Sequence, residues 1–156
     1  MEYLSLCYGD DAGTLTEMKR VDCLRIYVEQ AAYATFEQEV YRLEDPTVES
    51  VFALYEEIGI SFGFDSWDWE PKGFVLIGHF YTDPLYIISY VVSNDAAFQL
   101  YQMEQEEPGT GLALFEQELA TEQTYFLSFV EEAGLESPFA PGRDEKVRQL
   151  QESVLA

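Results

Sequence analysis

The chain has 156 residues, 47% hydrophobic and 15% aromatic, enough for one compact domain and too apolar for a disordered chain. Thirty acidic against eight basic side chains give a formal charge of −22, and between Arg42 and Arg143 the only Lys or Arg is Lys72. Such a surface repels phosphate backbones and anionic headgroups, which argues against nucleic acid and membrane partners and for a solvated acidic exterior.

Met1-Glu2 is acidic where a secretory leader would be basic, and no apolar run approaches membrane-spanning length, so a cytoplasmic location is expected. Cys7 and Cys23 match no metal or redox spacing and read as reduced, partly buried thiols. Residues 1–8 read as the end of a helix, broken by Gly9-Asp10-Asp11-Ala12-Gly13. Thr14 and Glu17 form the pattern of a capping box, predicting a helix over about residues 14–43. Val21, Leu24, Val28, Ala32, Phe36, Val40 and Leu43 recur at helical spacing, and Cys23, Ile26, Tyr27, Ala31, Tyr33 and Ala34 widen that face. A helix apolar over so much of its girth expects neighbours on more than one side.

Asp45-Pro46 has the form of a helix start, with Val48, Val51, Phe52, Tyr55 and Ile58 on one face and Gly59 as the stop. Residues 60–72 read as a loop whose Phe62, Phe64, Trp67 and Trp69 fold back on the core; Asp65, Asp68 and Glu70 lack the spacing of a calcium loop. Phe74-Val75-Leu76-Ile77 is a short buried run, strand-like or irregular.

The stretch from Gly78 holds the sole histidine, His79, and three of the eleven tyrosines. Asp83-Pro84 repeats the helix-start pattern, predicting a helix from Leu85 to about Met103 with Asp83 as N-cap, worth on the order of 1 kcal/mol. On that helix Tyr86 and Tyr90, four apart, share a face. Alone, a histidine before a helix is most simply a surface or capping residue, and the tyrosines are core aromatics with exposed hydroxyls. Thr110 predicts a helix to about Ala120. Residues 121–133 carry Tyr125, Phe126, Phe129 and Val130 on one side, with Gly134 as stop. A terminal helix from Arg143 to Leu155 turns Val147, Leu150 and Val154 inward. The architecture is all-α, a bundle-like array of roughly six helices in a single helical domain over residues 1–156.

His79-Phe80-Tyr81, Pro84-Leu85-Tyr86-Ile87-Ile88-Ser89-Tyr90 and Ser93-Asn94-Asp95-Ala96-Ala97 carry a resemblance that extends to Phe36-Glu37, to Ala133-Gly134-Leu135-Glu136-Ser137-Pro138-Phe139 and to the opening residues 1–11. In their order and spacing these resemble the C-terminal part of the catalytic domain of M3-family zinc metallopeptidases, close to oligoendopeptidase F. That family hydrolyses short peptides with a zinc held by a His-Glu-x-x-His helix and a downstream glutamate. This chain, with one histidine, lacks that motif. The resemblance therefore implies a segment behind the zinc motif, with zinc in the full-length family but none in this chain, and no hydrolysis by this chain alone. Glu2 resembles a later, non-ligating glutamate of the family's third-ligand helix.

What the resemblance carries over is a wall that binds substrate and transition state. His79 corresponds to a histidine that hydrogen-bonds substrate, and Tyr90 to a tyrosine that donates to the tetrahedral oxyanion. Tyr86 stands one place before the position where relatives carry a tyrosine, here Ile87, and Tyr81 is a further candidate. The implied partners are short peptides and either a zinc-bearing half or a second copy of the chain, joined through the wide apolar face of the helix over residues 14–43. The alternative is a non-catalytic helical module for peptide binding or protein interaction, and a third reading is an inert remnant.

Overall fold

The structure, a computed structural model, describes residues 4–64, 69–122 and 125–155. Met1, Glu2, Asp65, Trp67 and Asp68, and the side chains of Leu150 and Val154, lie outside the described residues. All regular structure among the described residues is helical. The helices are α1 (Leu4–Tyr8), α2 (Ala12–Val40), α3 (Val48–Ser61), α4 (His79–Thr82), α5 (Ile88–Glu106), α6 (Thr110–Glu118), α7 (Phe126–Glu132) and α8 (Arg143–Leu155). They form two compact units, residues 1–91 and residues 92–156, and no helix of the described residues is long and apolar enough to cross a membrane.

In the first unit, α2 starts at Ala12, and Thr14 lies inside it rather than capping it. The reason is the 3-10 turn Gly9–Asp11: Gly9 bends the chain at φ +54°, and the Ala12 N–H donates to the Gly9 carbonyl. Few orphan donors remain for a side-chain cap to satisfy. Leu24, Ala32 and Phe36 of the predicted stripe are buried, whereas Val21 is 53% exposed. Cys7 is exposed rather than partly buried.

The start of α3 is set by Thr47. Its hydroxyl accepts from the Ser50 N–H at 3.1 Å, and the Ser50 hydroxyl accepts from the Thr47 N–H at 2.9 Å, closing a capping box one residue after Asp45-Pro46. Gly59 does not end this helix. A Cβ there would lie 2.4 Å from Cδ1 of Trp69, so the glycine is the gap through which the indole reaches the core. Trp69 donates from Nε1 to the Tyr55 carbonyl at 3.0 Å and stacks on the Tyr55 ring, centroids 4.4 Å apart. Ala32, Phe36, Tyr55, Ile58, Trp69 and Phe74 form the core of this unit. The expected buried run after Lys72 is a 3-10 turn, Gly73–Leu76. Phe74 is buried, but Val75 and Leu76 are 50% and 84% exposed, because a turn of that pitch cannot point consecutive side chains the same way.

In the second unit, α6 takes its N-terminal cap from Glu104 rather than Thr110. The Glu104 carboxylate accepts from the Gly109 N–H at 2.8 Å and the Leu112 N–H at 3.0 Å. Those bonds hold its carboxyl below the usual range. After α7, Gly134 at φ +67° closes a Schellman motif: its N–H donates to Glu131, and the Leu135 N–H donates to Val130 at 2.9 Å. Val130, Leu135 and Val147 are buried beside a polar network that the periodicity did not signal. Arg143 Nε donates to Asp95 Oδ1 at 2.9 Å. Gln99 donates to Asp95 at 2.8 Å and to the Glu136 carbonyl at 2.9 Å, and accepts from the Glu136 N–H at 2.8 Å.

Candidate functional site

Phe80 on α4 is turned into the core, edge-on to Phe36 with centroids 5.4 Å apart. That leaves the preceding residue, His79, on the outer side of a short helix. Ile87, 1% exposed, anchors the start of α5 in the same way. The chain between these two anchors is a tight turn. The Tyr86 N–H donates to the Asp83 carbonyl at 3.1 Å, and Leu85 stands at φ +63°. Proline at the second position and positive φ at the third are the marks of a type II turn. Here the expected start at Leu85 is corrected: α5 begins at Ile88, and Asp83 does not cap it. Pro84, whose fixed φ suits both a first helical turn and a β-turn, is used for the β-turn.

This turn brings three of the sequence-selected residues together. Tyr90 Oη lies 3.0 Å from His79 Nε2. The His79 ring is 5.1 Å from the Tyr86 ring and 5.7 Å from the Tyr90 ring, and the two tyrosines meet edge to face at 5.4 Å. Tyr86 precedes α5 rather than lying on it, yet it still packs against Tyr90. Tyr81, two positions beyond His79 on α4, falls on the far side of that helix and is 60% exposed. The Asp83 carboxylate approaches His79 Nδ1 at 3.7 Å and accepts from the Thr82 hydroxyl at 2.8 Å.

The cluster presents an imidazole and a phenol that share one proton position, flanked by aromatic faces. With the proton on Nε2, His79 donates into the Tyr90 oxygen, and the Tyr90 O–H is directed to another acceptor. With Nε2 bare, Tyr90 donates back to His79, and Nδ1–H faces Asp83. The first state suits donation to a carbonyl or oxyanion of a bound molecule. A tetrahedral zinc centre does not fit these residues. His79 is the sole histidine, its Nε2 is engaged by Tyr90, and no group of three His, Cys, Asp or Glu side chains among the described residues converges on a point.

Glu37 is the residue that sequence reasoning left without a role. It is 2% exposed on α2, and its Oε1 accepts from the Leu85 N–H at 2.7 Å. The available signal was a carboxylate next to Phe36 on a helix apolar over most of its girth. A polar cavity of about 500 Å³ lies in the second unit, lined by Gln99, Met103, Glu136, Arg143 and Lys146 among others. Its charges are spent on each other: Lys146 Nζ sits 2.8 Å from Glu136 and, chiefly through that hydrogen bond, holds the Glu136 carboxyl below its usual range. The Arg143–Glu136 and Lys146–Glu136 pairs tie α8 to the segment after α7.

No family model and no curated protein sequence matches the chain. A solved crystal structure assigned as an oligoendopeptidase F has the same fold, with a TM-score of 0.83 and 23% identity over 99% of this chain. The chain spans 29% of the length of that solved protein. Its all-α fold is thus that of one part of an oligoendopeptidase F-like structure.

Proposed function

We propose that this chain is a peptide-binding segment of an M3 peptidase-like catalytic fold, in which His79, Tyr86 and Tyr90 hold the backbone of a short peptide. The observation that carries this reading is the His79–Tyr90 contact at 3.0 Å, flanked by Tyr86. A hydroxyl aligned by an imidazole is a directed donor for a peptide carbonyl, and the two phenol rings offer apolar faces to side chains on either side. The shared fold and the resemblance around His79 support the same reading. Zinc belongs to the family rather than to this chain, and no hydrolysis is expected unless a zinc-bearing half supplies the metal and the base. The experiment is calorimetric titration of a set of short peptides against the wild type, His79→Ala and Tyr90→Phe. Removing one such hydrogen bond lowers affinity about threefold to tenfold. Equal affinity in all three proteins would reject this site.

A second reading, an interaction module, rests on the exposed face at the start of α2. Met18, Val21 and Ile26 are 63%, 53% and 40% exposed. They stand among Lys19, Arg20 and Arg25, three of the eight basic residues of the chain, with Glu17 and Asp22 as the acidic ones. On a protein of charge −22 this locally near-neutral surface is one where like-charge repulsion between two copies is lowered. The occupant proposed is a second copy, paired two-fold. Light scattering at physiological salt should give twice the monomer mass, and Val21→Glu with Ile26→Glu should return it to the monomer. A wild-type monomer, or a dimer indifferent to both changes, would remove this reading.

A further inference from the structure

We infer that Glu37 is the positioning residue of the His79–Tyr90 site, holding the two side chains in register through the turn between them. The inference rests on the reading of that site given above. Leu85 occupies a left-handed conformation at φ +63°, where a residue with a Cβ is strained and glycine is favoured. Among the described residues only Lys72 shares that condition without being glycine. The strained turn therefore needs something to hold it, and the structure contains the holder. The Glu37 carboxylate, 2% exposed and 48 positions away in the chain, accepts from the Leu85 N–H at 2.7 Å. A carboxylate accepting from a main-chain N–H is a charge-assisted hydrogen bond, shorter and stronger than a neutral one.

The consequence for the site follows from its construction. His79 rides on α4 and Tyr90 on α5, and the two helices are joined by residues 83–87. The distance between imidazole and phenol is set by the course of that turn. Phe80 fixes α4 and Ile87 fixes the start of α5, but neither fixes the peptide planes between them. Without an acceptor at Oε1 of Glu37, Leu85 relaxes to negative φ and the turn rotates, separating His79 Nε2 from Tyr90 Oη. Glu37 touches no substrate in this account and acts only through the turn.

Because the chain has a single histidine, its imidazole nitrogen resonances report this contact without ambiguity. The experiment compares the wild type, Tyr90→Phe, Glu37→Gln and Glu37→Ala by long-range nitrogen–proton NMR of His79, with peptide affinity measured on the same samples. Glu37→Ala should move the Nε2 resonance to where Tyr90→Phe places it, and should lose peptide affinity by the same factor. Glu37→Gln keeps an acceptor oxygen and should stay with the wild type. If Glu37→Ala does not fold, the double variant Glu37→Ala/Leu85→Gly decides, since glycine adopts the turn without help and should restore the wild-type resonance. A folded Glu37→Ala with unmoved His79 signals, or a double variant still matching Tyr90→Phe, overturns the inference. A His79 signal that follows Glu37 in a protein that binds no peptide would uphold the positioning role and reject the peptide-binding reading instead.

Discussion

Arg143 and Asp95, 48 positions apart, meet at 2.9 Å with side chains 7% and 1% exposed. Asp95 belongs to α5 and Arg143 opens α8, so this pair fixes how α8 begins. Breaking a buried pair from one side strands the other charge. Asp95→Ala should therefore destabilise the protein, by less than the about 3–5 kcal/mol of a fully stranded charge, because Arg143 Nη1 also lies 3.5 Å from a Glu136 carboxylate oxygen. Asp95→Ala combined with Arg143→Met should recover part of that loss. Urea denaturation of the two variants checks both, and a single variant as stable as the wild type would show that the pair carries no weight.

Gly59 is held by Trp69. An added methyl would stand 2.4 Å from the indole, which is itself 5% exposed and stacked on Tyr33, Tyr55 and Phe64. Gly59→Ala is normally a helix-stabilising change, yet here it should destabilise by about 1–3 kcal/mol through overpacking. Tryptophan fluorescence during the melt should report it.

The two Asp-Pro pairs should behave differently from the helix starts they suggest. Thr47→Ala removes the true cap of α3 and should lower stability by about 1 kcal/mol. Asp83→Ala removes an exposed carboxylate outside any helix N-terminus and should change stability by less than about 0.5 kcal/mol. A larger loss at Asp83 than at Thr47 in matched denaturation curves would contradict the boundaries described.

These pairs also show what local pattern can and cannot convey. Helical periodicity was enough to find the Leu24, Ala32 and Phe36 stripe and the helix from Arg143, and glycine's C-cap preference the stop at Gly134. The resemblance around His79 grouped it with Tyr86 and Tyr90; helical spacing did not, since Tyr86 precedes α5. Proline after aspartate serves a helix start and a β-turn equally well, so the residues around 84 do not by themselves say which it is. Glycine inside a helix reads as a stop until its neighbour, Trp69, is known. Asp95 with Arg143 and Glu37 with Leu85 are long-range pairs that no periodicity encodes.

Burial places an alkaline limit on the first unit. Tyr33 donates to Glu29 at 3.1 Å, and burial first, then the nearby Tyr55 and Glu29, push its phenol far above the ordinary value; burial also raises Tyr55. A phenol that binds its proton more tightly when folded contributes fully below the unfolded tyrosine value of about 10, and that contribution is lost as pH rises beyond it. Melting temperature should therefore fall as pH rises above about 10, less steeply in Tyr33→Phe than in the wild type. Parallel curves for the two proteins would contradict this.

The most direct measurement is the His79 imidazole resonance on titration with a short peptide at neutral pH. If His79 and Tyr90 form a peptide-binding wall, the His79 signals should move saturably, with the Tyr86 and Tyr90 ring protons following the same isotherm, and Tyr90→Phe should weaken that isotherm about threefold to tenfold. His79 and tyrosine signals that stay fixed while peptide is added to saturating concentration would contradict the account.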